Sequence, residues 1–130
     1  MVVNEKILNA LKLATNHLEN SMLAFNKKDE NLFADSLWHT AAELEYTLFL
    51  LSMKFSDESD LSKWKPNPEL KKVETSSMLA EAKDLLNKAE TYMANEKSMD
   101  VYKSAYVARH YILRVQEDLA KKKREMLKKK

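Results

Sequence analysis

No glycine occurs anywhere in the 130-residue chain. Glycine is the residue that takes positive φ in tight turns and lets backbone come close to a phosphate. Neither the glycine-rich phosphate loop nor the dinucleotide-binding fingerprint can be written without it. Two-residue β-hairpins are disfavoured for the same reason. What remains is a chain that is nearly all helix, and the expected class is all-α.

Apolar spacing supports four helices, at about 4–27, 31–55, 68–95 and 99–127. Ile7, Leu11, Ala14, Leu18, Met22 and Phe25 recur at three- and four-residue intervals, as one face of a helix requires. A second stripe runs through Leu37, Ala41, Leu44, Leu48, Leu51 and Phe55, a third through Met78, Ala82, Leu85, Ala89 and Tyr92. The fourth holds Val101, Ala105, Ala108, Ile112, Val115 and Leu119. Asp29 or Asn31 suits the cap of the second helix and Ser98 that of the fourth. Asn67, Pro68 and Glu69 read as the start of the third. Each stripe approximates a seven-residue repeat, so the expected fold is a four-helix bundle of mostly antiparallel neighbours. A long loop with Pro66 and Pro68 joins helices two and three. One domain, residues 1–130, is expected, without internal repeats.

The chain has no cysteine, which removes disulfide scaffolds and thiolate chemistry and fits a reducing cytosol. Its N-terminus "MVVNEKILNALK" carries acid early and does not read as a signal peptide. The longest apolar-rich run, "YTLFLLSMKF", is ten residues, half of the ~20 that span a bilayer. A cytoplasmic protein with no membrane partner is expected. The net charge of +2 conceals a division: residues 120–130 hold seven bases and one acid, leaving 15 bases against 19 acids in the body. A nucleic-acid surface spreads its lysines and arginines over a face. Here only the basic C-terminal tail offers nucleic acid a hold.

Helices two and four are apolar beyond one stripe. Trp38, Ala42, Tyr46, Phe49 and Met53 flank the second stripe, and Tyr102, Tyr106 and Leu113 flank the fourth. Such surplus needs cover, from the Trp64 loop, a ligand or a partner subunit. Aromatics and methionine favour interfaces, so a homo-oligomer buried through Trp38, Tyr46, Phe49, Met53, Tyr102, Tyr106 and Leu113 is expected.

The chain's three arginines are Arg109, Arg114 and Arg124, and the first two flank His110. On a helical wheel His110 falls opposite the core, Arg114 falls outside it, and Arg109 lies at the flank beside Tyr102 and Gln116. Arg114 is spaced to pair with Glu117 or Asp118. His39 and Glu43 have metal-ligand spacing, yet no glutamate is followed by histidine three residues on, as a di-iron bundle needs. No metal, no cofactor and no catalytic residue is expected. Ser76 and Ser77 lack a glycine-flanked elbow, and His17 reads as a packing or surface residue.

The segment "ARHYILRVQED" resembles the last core helix of the helical-bundle cobalamin adenosyltransferases. Arg109 stands on the first arginine of that family's motif and Arg114 on the last of its arginine pair. Leu113 replaces the other arginine and Gln116 the glutamate. The resemblance implies that Arg109, Arg114 and Gln116 hold ATP at a subunit junction, on a scaffold without the family's glycine-containing N-terminal phosphate segment. A similar comparison of "AEAKDLLNKAETYM" and "YKSAYVARHYI" with the HEPN helical domains fails at the arginine that should precede the histidine by several residues.

Three readings stand: a non-enzymatic oligomeric module for interaction or structure, a nucleotide- or anion-binding bundle of the adenosyltransferase type, and a nucleic-acid-associated module using the tail.

Overall fold

The structure, a computed structural model, describes residues 2–54 and 74–128. It is a four-helix bundle: α1 (Val2–Asn26), α2 (Glu30–Lys54), α3 (Thr75–Ala94) and α4 (Ser98–Lys128). No strand occurs among the described residues. The expected loop with Trp64, Pro66 and Pro68, and the stripe residue Phe55, fall outside them. So does the proposed start of helix three at Pro68. The helix itself opens later, at Thr75, because Glu74 before it is extended (φ −65°, ψ 154°).

Helices α1 and α2 form one intimate pair and α3 and α4 another, with lighter contacts of α2 on α4 and of α1 on α3. Side-chain links give the directions. The Lys54 ammonium donates to Asn4 Oδ1 (3.0 Å) and Ser98 Oγ (2.8 Å), so the end of α2 meets the starts of α1 and α4. Thr15 donates to Glu90 (3.4 Å) and Lys83 approaches Glu19 (3.6 Å), so α1 and α3 are antiparallel. All four neighbouring pairs therefore run antiparallel. The end of α2 and the beginning of α3 lie at opposite ends of the bundle.

Glycine's absence is resolved at the two tight turns. Lys28 (φ 60°) and Glu96 (φ 59°) take the left-handed conformation that glycine usually supplies. In each turn two amides reach back to the preceding helix: Lys28 to Phe25 O and Asp29 to Ala24 O, Glu96 to Met93 O and Lys97 to Tyr92 O. This is the Schellman closure, made twice with charged side chains in place of glycine. Asp29 then caps α2, its Oδ1 accepting from the Leu32 amide at 3.1 Å. Ser98 is the first residue of α4 rather than its cap. A non-glycine residue in this region costs roughly 1–2 kcal/mol, part of which glycine's looser unfolded chain takes back. Lys28→Gly and Glu96→Gly are each expected to stabilise by about 0.5–1 kcal/mol, additively because they lie at opposite ends. Thermal melts of the double variant should rise by about 5 °C. An unchanged or lower Tm would show that these turns carry no strain.

The core holds the inner members of the expected stripes of α1, α2 and α4: Ile7, Leu11, Ala14 and Leu18; Leu37, Leu44, Leu48 and Leu51; Val101, Ala105, Ala108, Ile112 and Val115. Met22, Ala41 and Leu119 pack only at its edge, and Phe25, in the last turn of α1, is exposed because the bundle's core ends before it. Buried hydroxyls along the α1–α2 seam are satisfied within their own helices. Ser21 donates to Leu18 O (2.6 Å), Thr40 to Ser36 O (2.8 Å) and Thr47 to Glu43 O (2.8 Å). Short side chains there let the two backbones approach without leaving an unpaired polar group.

Candidate functional site

The arginine cluster does not converge. Arg109 turns toward α2, where its Nε–H donates to the Glu45 carboxylate. Arg114 points outward and pairs along its own helix with Asp118 at 3.5 Å. The guanidinium groups thus lie on different sides of α4, each already opposite a carboxylate. Gln116 shares Arg109's side and lines a shallow groove of about 210 Å³ with Trp38 and Leu37. His110, expected opposite the core, is half-buried. Its ring packs on Tyr106 (4.5 Å between centroids) and its Nδ1 lies 3.0 Å from the Tyr106 carbonyl. A wheel misses this because the cover comes from a ring one turn back.

Tyr102, Tyr106 and His110 thereby form an aromatic ladder along α4, Tyr102 and Tyr106 being 6.0 Å apart. Burial pushes the Tyr102 phenol above its ordinary 10.0; Tyr106 adds to the shift and Arg109 opposes it. Both tyrosines and Leu113 are half-buried within the single chain.

On α2 the picture differs. Trp38 is 61%, Phe49 58%, Met53 56% and Tyr46 44% exposed, far above what large apolar side chains of a core show. From Trp38 to Phe49 is eleven residues, three turns, so the stripe keeps to one straight face. The Arg109–Glu45 pair places this face directly beside the tyrosine flank of α4. The two flanks lie side by side along one side of the bundle with the Arg109–Glu45 pair on the seam between them, and no single-residue signal beyond the surplus of aromatics announces the surface.

Other candidates resolve as packing. His17 of α1 stacks on His39 of α2 with centroids 5.0 Å apart, and Trp38 meets His39 edge-on at 5.2 Å. His39 lies 3.6 Å from Asp35. No group of three metal-ligating side chains occurs among the described residues. A cleft of about 480 Å³ lies at the α1–α2 turn over Phe25, Phe33 and Leu119, rimmed by charges of both signs. Beyond Leu119 every described residue of α4 is exposed, so the basic stretch Lys121–Lys128 continues the helix with solvent around it.

No described helix is long and apolar enough to cross a membrane. No protein-family model, curated protein or solved structure matches the chain.

Proposed function

We propose that this protein is a non-enzymatic interaction module that assembles with itself through the outer face of α2 and α4. The observation behind this reading is the exposed row Trp38, Tyr46, Phe49 and Met53 lying beside the half-buried Tyr102, Tyr106 and Leu113. At the observed exposures those first four side chains present roughly 400 Å² of mostly apolar surface. Counted on both copies, and with the α4 flank added, the area approaches the ~1,200 Å² at which specific interfaces begin. An anion-holding role has less to build on, since Arg109 and Arg114 face carboxylates in different directions.

Sedimentation velocity tests the reading. The 15.1 kDa chain is expected to sediment as an oligomer at micromolar concentration. Trp38→Glu with Phe49→Glu should return it to a monomer of unchanged helical circular dichroism. Both side chains are more than half exposed in the single chain, so charge there costs the isolated fold within about 0.5 kcal/mol. A wild-type monomer at high concentration would refute the assignment.

A further inference from the structure

We infer that the face closes on a second copy by a two-fold axis parallel to the bundle, laying α2 of each copy on α4 of the other; this rests on the self-association proposed above. Opposite charges gather at one end of the face, on the start of α2 and the end of α4. Helix α2 carries Glu30, Asp35, Glu43 and Glu45 against the single base Lys54 at its end. Helix α4 carries eight bases against four acids, and the surplus lies at its end: residues 98–120 hold three of each, whereas 121–128 hold five bases against Glu125. A two-fold perpendicular to the bundle would stack α2 on α2 and α4 on α4 in reversed direction, setting the basic end of each α4 on the nearly neutral start of the other and leaving Glu30 and Asp35 opposite no base but the other copy's Lys54. A parallel two-fold sets the Glu30–Asp35 end of each α2 on the basic end of the other copy's α4, twice by symmetry, as an isologous interface with complementary potentials requires.

Such an axis also fixes the register, because it moves no residue along the bundle. The Arg109–Glu45 pair sets which residues of α2 and α4 lie level, and the groove shared by Trp38 and Gln116 agrees with it. Counting along the antiparallel helices, Phe49 meets the second copy's Tyr102 and Tyr106, and Ala42 meets its Leu113. At the far end Glu30 and Asp35 meet the exposed basic stretch that begins at the second copy's Lys121. The start of α2 is where its dipole is positive and its own acids gather, so those acids gain a second set of cations.

The absence of native cysteine makes the test clean. Ala42→Cys and Leu113→Cys are prepared separately, mixed and mildly oxidised. Helix axes 8–10 Å apart bring facing Cα atoms to about 5 Å, within disulfide reach. The mixture is expected to give a covalent dimer and neither variant alone. A covalent dimer from Ala42→Cys alone would mean α2 on α2 and overturn this geometry while leaving self-association standing. Dimers that form in solution but do not cross-link in the mixture would overturn it too. A monomer, with Trp38 shielded by residues 55–73, would overturn both. Independently, Asp35→Lys should weaken the dimer about tenfold at low salt through two lost pairs. Adding Lys121→Asp to the same chain should restore it, and failure of that rescue counts against the register.

Discussion

Replacing Leu44 with alanine is expected to cost about 3 kcal/mol of folding stability, near the middle of the range for a buried leucine. Leu44 is wholly buried on the middle turns of α2. It belongs to the closely packed core cluster, so few side chains can move into the space it leaves. For a chain this long that loss lowers Tm by roughly 10 °C. Leu23→Ala makes the control: Leu23 is 57% exposed, and its truncation should stay within about 0.5 kcal/mol. Urea unfolding of the two variants at equal protein concentration measures both. Equal losses would mean that the burial pattern, and with it the bundle, is wrong.

The inner rows on α1, α2 and α4 were legible because their residues recur at three- and four-residue intervals through the middle of each helix, although at the end of α1 the same spacing runs on to Phe25, which the fold leaves exposed. Helix α3 was less so. Its sequence holds the adjacent apolar pairs Met78–Leu79, Leu85–Leu86 and Tyr92–Met93, and spacing alone does not say which member points inward. The expected row took Leu85 and Tyr92. The structure buries Leu79, Leu86 and Met93, leaving Leu85 and Tyr92 packed at the edge. The choice is made by where α1 and α4 sit, as the Thr15–Glu90 and Lys83–Glu19 links show, and that is not local information. The turns were opaque for a different reason. With no glycine in the chain, nothing in the residue types marks Lys28 and Glu96 as the positions of positive φ.

The candidate surface divides the same way. A surplus of aromatics on α2 and α4 could be counted from the sequence, but not how each helix spends it. Neighbours in the same chain half-cover Tyr102, Tyr106 and Leu113, whereas Trp38, Phe49 and Met53 gain no such cover. The arginines show the converse. Arg114's partner four residues on was readable from helical spacing, while Glu45, the partner of Arg109, lies 64 positions away and needed the fold.

Filling space should harm the bundle about as much as emptying it. Ala108 is fully buried on α4, and with Ala82, Ala89 and Ala105 it belongs to a set of small core residues that keeps α3 and α4 close. Leucine at 108 must place three more carbons where the packing is already dense, forcing strained rotamers or a shifted helix at a cost of about 3 kcal/mol. The level of the Arg109–Glu45 pair puts Ala108 within a turn of Leu44 along the axis. Joined in one chain, Leu44→Ala and Ala108→Leu nearly conserve the volume of a shared layer. Their combined loss is therefore expected to fall short of the separate losses by about 1 kcal/mol or more. Strict additivity in denaturant unfolding would show that the two side chains do not share a layer. That would move α4 along α2 and take with it the level on which Trp38, Phe49 and the tyrosines of α4 form one surface.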